Sequence, residues 1–220
     1  MRIFTERPRP GRWRLGLEFG PRHQPTPTPT PTPTPRYAPT RTLVLGGARS
    51  GKSVTAERML ADEREVLYVA TGGSRDDDAD WARRVALHRE RRPAHWRTAE
   101  TCELEPLLAA EGGPVLVDCL ALWLTHAMDA CDAWDDEAWA DTGEARLRAR
   151  TAALVRAWQS TPRRVVAVSN EVGSGIVPAT ASGRRFRDEL GRLNAAVANA
   201  SQEVLLVVAG QPLRVKGQGR

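Results

Sequence analysis

The stretch TLVLGGARSGKS, residues 42–53, predicts the fold of this 220-residue chain. Its first half is a short apolar run that ends in glycine, which is typical of a buried strand that leads into a loop. Its second half matches the phosphate-binding pattern G-x-x-x-x-G-K-[ST] without a mismatch. We therefore predict a strand, a phosphate-binding loop and a helix in that order, with a chance match in a glycine-containing loop as the alternative. The loop residues are Gly46, Gly47, Ala48, Arg49, Ser50, Gly51, Lys52 and Ser53.

Lysine is rare in this chain, which draws attention to the lysine of the loop. Of 32 basic residues only Lys52 and Lys216 are lysines, and the rest are arginines. The loop pattern needs a compact ammonium that reaches the β- and γ-phosphates, and a planar guanidinium does not replace it. Lys52 is therefore predicted to be functional, with Ser53 beside it as a ligand of Mg²⁺.

The charge of the chain is concentrated in its first forty residues. They contain seven arginines and two glutamates, so the whole formal net charge of +5 lies there and the remaining residues balance. Because the folded part has no basic excess, we expect no nucleic-acid partner. No apolar run approaches the ~20 residues of a membrane span. Three cysteines without a C-x-x-C spacing favour a reducing cytoplasm over a disulfide framework.

The chain is predicted to divide at residue 40. Residues 25–35 read PTPTPTPTPTP, and alternating proline produces a semi-rigid extended spacer rather than a packed element. We expect residues 1–40 to be a disordered extension, or the product of a start codon assigned too early. The folded domain is predicted over residues 41–213.

Strand and helix patterns alternate from residue 41 onward. Strands are predicted at 42–47, 65–70, 114–120, 164–170 and 203–210, and helices at 50–60, 78–91, 136–159 and 182–200. Short all-apolar strands separated by helices indicate an α/β fold with a mostly parallel sheet covered by helices on both faces.

Three further places carry reactive side chains. A phosphate-loop enzyme needs a carboxylate at the end of a strand that neighbours the loop strand, and Asp118 fits, although it could simply cap the next helix. His88 is followed by Arg89, Arg91 and Arg92, which could gather phosphate oxygens; the alternative is a packed histidine beside a solvated helix end. The segment SNEVGSGIVP, residues 169–178, is predicted to be a ligand loop at a strand end or a simple turn.

Six separated stretches resemble the bifunctional adenosylcobinamide kinase/adenosylcobinamide-phosphate guanylyltransferase family. Together they cover about residues 41–210. In chain order they are GGARSGKS, LYVATG, RVALHRERRPAHWRTAE, VLVDCLALW, SNEVGSGIVP and RRFRDELGRLNAAVANASQEVLLVVAG.

The resemblance implies a P-loop NTPase fold of the RecA-like type and two reactions of cobalamin biosynthesis. ATP or GTP phosphorylates adenosylcobinamide, and GTP then donates GMP to adenosylcobinamide phosphate through a guanylylated histidine, which the match places at His88. It also implies Mg²⁺ bound by Ser53 and Asp118, a catalytic role for Lys52, and a homotrimer. The implied nucleotide contacts are residues 46–53, Thr71, Gly72, Gly73, Arg89, Glu90, Arg91, Arg92, Glu100 and Asp118.

Two other hypotheses stay open at this point. The chain could be another small-molecule P-loop kinase in which His88 is structural. It could also be a nucleotide-binding regulatory module whose Thr-Pro segment recruits a partner.

Overall fold

The computed structural model describes residues 2–6, 14–18, 40–73, 83 and 92–217, the first two ranges by their backbone only. The strands that follow residue 40 in these ranges are β3 (Arg41–Gly46), β4 (Leu67–Ala70), β5 (Arg97–Glu100), β6 (Val115–Asp118), β7 (Val165–Asn170), β8 (Glu203–Val208) and β9 (Gln211–Lys216). The helices are α1 (Lys52–Met59), α2 (Leu104–Ala109), α3 (Leu120–Asp129), α4 (Asp136–Ala138), a π-helical turn (Trp139–Gly143), α5 (Glu144–Ser160) and α6 (Ala181–Ala200).

The seven strands form one sheet in the order β5-β4-β6-β7-β3-β8-β9. All neighbouring pairs are parallel except β8 and β9, which are antiparallel and joined by a tight turn. Because the strands from β5 to β8 run in one direction, their carboxyl ends meet at one edge of the sheet, where α/β folds bind ligands.

The central strands are apolar because both faces of the sheet are covered. Val165 to Ser169 of β7 are all buried, and so are Val115 to Val117 of β6. Helix α1 packs on β3, β6, β7 and β8, while α3 packs on β7 and α6 on β3, with α5 contacting α2, α3 and α6. Helices therefore cover both faces, as the near-continuous apolar runs predict.

The predicted α/β fold with a mostly parallel sheet is confirmed, and the differences lie at edges and boundaries. The strand predicted at 114–120 ends at Asp118, and the helix predicted at 136–159 contains the π-helical turn. The edge strands β5 and β9 were not predicted, because their exposed side chains lack an apolar pattern. The helix predicted at 78–91 lies almost wholly outside the described residues.

The N-terminal residues form a compact unit of their own, residues 1–34. Within it, β1 (Arg2–Glu6) pairs antiparallel with β2 (Arg14–Glu18). The sequence did not predict this pairing, since arginine, proline and glycine interrupt its apolar residues. The division into residues 1–40 and 41–213 stays a prediction.

Among the helices of the described ranges, none is both long and apolar enough to cross a membrane.

Candidate functional site

The carboxyl edge of the sheet brings the predicted loop and the predicted carboxylate to the same side of the molecule. Gly46 ends β3 and lies opposite Asn170 of β7 and Val207 of β8. Asp118 ends β6 and lies opposite Val168 of β7 and Ala70 of β4. The site is thus built at strand ends, from residues far apart in the sequence.

The loop after β3 has the geometry of a phosphate-binding loop. Gly51 has φ 95°, a left-handed conformation that strains any residue with a Cβ, and α1 begins directly after it at Lys52. The Lys52 ammonium turns back over the loop and donates to the Gly47 carbonyl oxygen at 3.1 Å. The loop is therefore a ring of backbone with a positive charge held across it.

The turn between β8 and β9 supports the loop from outside. The Gly210 amide donates to the Ser50 carbonyl oxygen at 2.8 Å. A Cβ on Gly51 would lie 3.3 Å from the Gly210 Cα, and one on Gly46 would lie 2.8 Å from the Val207 carbonyl oxygen. Sequence reasoning missed this support, because nothing in residues 203–216 signals a contact with Ser50, 160 positions before Gly210.

The loop fits a phosphate group in two respects. The first amide groups of α1 have no partner within the helix, and they make its N-terminus an anion site. The hydroxyl of Ser50 is buried and has no hydrogen-bond partner within the described part of the chain. Buried hydroxyls normally have a partner, so this one is suited to a ligand oxygen.

Asp118 is held in place by two residues of the neighbouring strand β4 and its extension. The Tyr68 hydroxyl donates to Asp118 Oδ2 at 2.7 Å. Just beyond β4, the buried Thr71 donates its backbone amide to the Asp118 carbonyl oxygen at 3.2 Å. Its hydroxyl accepts from the Cys119 amide at 3.0 Å and donates to the Cys119 carbonyl oxygen at 2.7 Å.

One detail of the prediction is wrong: Asp118 does not end a strand that pairs with β3. Strand β7 lies between β3 and β6. Helix α1 packs on β3, β7 and β6, so it contacts both the strand before the loop and the strand that ends at Asp118. Burial, and then the charge of Asp118, raise the pKa of the adjacent Cys119 to about 12.

The side chains at this edge fit a magnesium ion. Ser53 offers a hydroxyl from the first turn of α1 and Asp118 a carboxylate, and Mg²⁺ prefers such hard oxygen ligands. Within the described ranges no group of three or more His, Cys, Asp or Glu could hold a metal ion. One carboxylate and one hydroxyl are sufficient for Mg²⁺ when phosphates and water supply the other ligands.

A cleft lies beside the edge strand β5, and one of its lining residues, Arg92, contacts Tyr68. The Arg92 guanidinium carbon is 3.4 Å from the centroid of the Tyr68 ring, and Arg92 Nη1 donates to Thr98 Oγ1 at 3.3 Å. The cleft has a volume of about 430 Å³. Its lining consists of Arg92, Pro93, Ala94, Trp96, Thr98 and Glu100. Two of the predicted contact residues, Arg92 and Glu100, therefore share one cavity.

The other predicted site residues divide into two groups. Gly72 and Gly73 follow Thr71 near the end of β4, and Gly73 has φ 62°. His88, Arg89, Glu90 and Arg91 lie outside the described residues, so the predicted roles of all four stay predictions.

The predicted ligand loop after β7 is anchored beside the phosphate-binding loop. The Glu171 amide donates to the Gly46 carbonyl oxygen at 3.1 Å, and Glu171 Oε1 accepts from the Gly173 amide at 2.6 Å.

Tyr68 and Gly210 are the contributors to the site that sequence reasoning missed. The available signal for Tyr68 was its position: it is a tyrosine in an apolar strand, two residues before that strand ends.

A parallel α/β sheet with this loop, a basic side chain across it and a carboxylate at a nearby strand end defines a P-loop nucleoside-triphosphate-binding protein. The sequence also matches the family described as cobinamide kinase / cobinamide phosphate guanyltransferase over residues 42–215. The chain belongs to this family, and the predicted resemblance is confirmed.

Three relatives agree with this assignment. The bifunctional adenosylcobalamin biosynthesis protein CobP of Pseudomonas aeruginosa is 43% identical over 187 residues, which cover 81% of this chain and 98% of that protein. The bifunctional adenosylcobalamin biosynthesis proteins CobU of Escherichia coli and Salmonella typhimurium are 41% and 42% identical, and each match covers 79% of this chain and 98% of the relative.

Proposed function

We propose that this protein phosphorylates adenosylcobinamide and then transfers GMP from GTP to the resulting phosphate, giving adenosylcobinamide-GDP and pyrophosphate. The observation that carries the proposal is the intact phosphate-binding loop of residues 46–53, closed by Lys52 and followed by α1, in a chain of this family. It is the part of the site whose geometry follows directly from the described residues.

In the first reaction the hydroxyl of the aminopropanol side chain attacks the γ-phosphorus of ATP or GTP. The bond between that phosphorus and the β–γ bridging oxygen breaks, the nucleoside diphosphate leaves, and the hydroxyl proton is released to solvent. The loop amides and Lys52 hold the β- and γ-phosphates and balance their negative charge. A bound Mg²⁺, held by Ser53 and Asp118, would supply further charge neutralisation.

In the second reaction the neutral imidazole of His88 attacks the α-phosphorus of GTP. A P–N bond forms and pyrophosphate leaves; a phosphate oxygen of adenosylcobinamide phosphate then attacks the same phosphorus and restores the histidine. Arg92 and Glu100 line one cleft beside β5, and in the sequence the residues that follow His88 lead directly to Arg92. We assign the nucleotide contacts of residues 89–92 to this step.

The experiment that tests the proposal is labelling with GTP that carries ³²P at the α-position. The wild-type protein should keep acid-labile label after denaturation, and His88→Ala should keep none. His95→Ala is the matched control, because His95 lies in the same segment, contacts the Glu63 carbonyl oxygen at 3.3 Å and should label normally.

The outcomes separate the alternatives. Phosphorylated cobinamide without covalent label would support a small-molecule kinase in which His88 is structural. Nucleotide binding without turnover of adenosylcobinamide would support a regulatory module instead. Label that persists in His88→Ala would contradict the role of that histidine.

We also propose that the protein works as a homotrimer in the cytoplasm. Val208, Leu213 and Val215 are each more than half exposed at the edge of the sheet formed by β8 and β9, which offers apolar surface to a second copy. Cys102, Cys119 and Cys131 are free thiols, which fits a reducing compartment. Light scattering on the purified protein measures the assembly; a monomer at working concentration would contradict it.

Residues 1–40 are proposed to be dispensable for catalysis. Deleting them should leave both reactions within about twofold of the full chain. A collapse of activity would show that the extension belongs to the catalytic unit.

A further inference from the structure

We infer that Tyr68 is a positioning residue that joins the two halves of the site: its hydroxyl orients Asp118, and its ring supports Arg92. The contacts of Tyr68 are read directly from the structure, whereas their effect on guanylylation rests on the proposed function.

The register of the sheet places Tyr68 near both Asp118 and Arg92. It lies in β4 opposite Leu116 of β6 and Thr98 of β5. Side chains at paired positions of parallel strands point to the same face, as do side chains two apart on one strand. Tyr68, Thr98 and Asp118 therefore share one face, and the ring extends along it toward the carboxyl edge.

The hydroxyl of Tyr68 has one structural task that phenylalanine could not perform. The residue is only 2% exposed, and its hydroxyl donates to Asp118 Oδ2 at 2.7 Å. A buried phenol must find a partner, and an ionised carboxylate is a strong one. The bond limits rotation of the Asp118 side chain at the end of β6, the position from which it would meet magnesium and phosphate.

Tyr68 is the donor of this hydrogen bond. Burial, and then the negative charge of Asp118, raise the pKa of Tyr68 far above its ordinary value of 10.0. The phenol therefore stays protonated and remains the donor. The nearby charge of Glu57 acts in the same direction.

The face of the Tyr68 ring makes a second contact, with Arg92. The Arg92 guanidinium stacks on it at 3.4 Å, and Arg92 Nη1 is also bonded to Thr98. Arg92 Nε is buried and has no hydrogen-bond partner within the described ranges. A cation over an aromatic face is attracted to it, so the ring sets the plane in which this arginine presents its donors.

The main test compares Tyr68→Phe with Thr42→Val. Both remove a buried hydroxyl that donates to a carboxylate on the same sheet, but Thr42 contacts Glu203 at 3.3 Å at the opposite end of β3. Binding of GTP is measured by calorimetry with Mg²⁺ and with EDTA. For Tyr68→Phe we expect the gain in affinity from Mg²⁺ to fall about tenfold, with binding in EDTA within twofold. Thr42→Val should change neither.

A double-mutant cycle shows whether Tyr68 acts through Asp118. In an Asp118→Asn background, Tyr68→Phe should alter magnesium-dependent binding by less than twofold, since the carboxylate it orients is gone. An additive effect, or a Tyr68→Phe protein that binds Mg²⁺-GTP like wild type, would overturn the inference. If the wild type turned over no cobinamide, the proposed function would fail, yet these binding measurements would still decide the role of Tyr68.

The ring is tested by the rate of covalent guanylylation with labelled GTP. At saturating Mg²⁺-GTP, Tyr68→Phe keeps the aromatic face and should guanylylate within about threefold of wild type, whereas Tyr68→Met should be slower by a further factor of about ten. Equal rates in the two variants would show that the aromatic face of Tyr68 does not position Arg92 for guanylylation. Thermal unfolding is measured first, and Tyr68→Leu takes the place of Tyr68→Met if that variant does not fold.

Discussion

The two edges of the central sheet differ in how completely their buried polar groups are hydrogen-bonded. At the amino edge they are paired: Arg163 donates to the Gly113 carbonyl oxygen at 2.7 Å and to that of Leu107 at 3.2 Å, and Arg164 donates to Glu63 at 2.6 Å. At the carboxyl edge the hydroxyls of Tyr68 and Thr71 are paired too, but three other polar atoms are buried without hydrogen-bond partners within the described ranges. They are Ser50 Oγ, Ser169 Oγ and Asn194 Oδ1.

We interpret the unpaired groups at the carboxyl edge as candidate contacts for a bound ligand. Buried polar groups in folded proteins are nearly always hydrogen-bonded, so unpaired ones gathered at one edge point to partners supplied by a substrate. The Trp96 indole nitrogen, just before β5, is an exception at the amino side, and it borders the cleft that contains Arg92 and Glu100. Substitutions at the two edges should therefore affect different measurements.

The largest effect is expected at the carboxyl edge, for Lys52→Arg. The loop holds a compact ammonium 3.1 Å from the Gly47 carbonyl oxygen, and a planar guanidinium cannot occupy the same place. We expect kcat/KM for phosphorylation of cobinamide to fall about 100- to 1,000-fold with little change in stability.

Lys216→Arg is the matched control for Lys52→Arg. The Lys216 ammonium donates to the Ala198 and Asn199 carbonyl oxygens at the end of α6, where an arginine can serve equally. Its kinetics should stay within twofold of wild type. Near-normal turnover by Lys52→Arg would contradict the importance of an ammonium in the loop.

At the amino edge, Arg163→Leu should affect stability and not catalysis. Arg163 is 8% exposed, and its removal leaves the carbonyl oxygens of Gly113 and Leu107 without these donors. We expect the free energy of unfolding to fall by about 2–4 kcal/mol, measured by urea denaturation, with KM for nucleotide unchanged. Arg148→Leu breaks only an exposed pair with Glu144 and should cost less than about 0.5 kcal/mol. Equal losses in the two variants would show that the pairing of Arg163 is not the cause.

A smaller effect is expected for Gly51→Ala at the junction of the loop and α1. Alanine at φ 95° is strained, and its Cβ would meet the Gly210 Cα at 3.3 Å. The free energy of unfolding should fall by about 1–2 kcal/mol, and affinity for nucleotide should weaken with it.

Gly191→Ala is the counterpart in the interior of α6. A Cβ there meets nothing within 4 Å, and alanine favours the helix. The variant should be more stable by about 0.5–1 kcal/mol, with nucleotide affinity unchanged. Thermal unfolding and calorimetry check both glycine variants, and a Gly51→Ala protein as stable as wild type would contradict the strain.

The smallest effect concerns pH, through Cys119 next to Asp118. Burial, then the charge of Asp118, raise the pKa of its thiol from 9.0 to about 12. The folded state thus keeps the proton while the unfolded state loses it above pH 9, so this contribution is present below pH 9 and is lost as pH rises toward 12. Between pH 8 and 10 wild type should lose about 1 kcal/mol more stability than Cys119→Ser, whose hydroxyl does not titrate. Parallel stability curves for the two proteins would rule out a titrating Cys119.

The interior of the fold was predictable from the sequence, and its edges were not. Strands β3, β6, β7 and β8 are apolar because both faces of the sheet are covered, and that pattern is visible in residues 42–47, 114–120, 164–170 and 203–210. Strand β5, with sequence RTAE, has no such pattern, since an edge strand is stabilised by pairing with its neighbour rather than by burial.

The candidate site also has parts that were predictable from the sequence and parts that were not. The loop of residues 46–53 and Asp118 were predictable, because a phosphate-binding pattern and a strand-terminal carboxylate are local in the sequence. The order of strands that separates Asp118 from β3 by β7, the contact of Gly210 with Ser50 and the stacking of Arg92 on Tyr68 were not. Each depends on which strands become neighbours.

By itself, the sequence determined the chemistry available to this protein: a phosphate-binding loop with one lysine, a carboxylate after an apolar strand, and membership of a family. Only the tertiary structure decided how these groups meet, because strand order and register bring together residues that are far apart along the chain. Tyr68 shows the physical reason most clearly. Its hydrogen bond to a residue 50 positions away exists only because β4 pairs with β6.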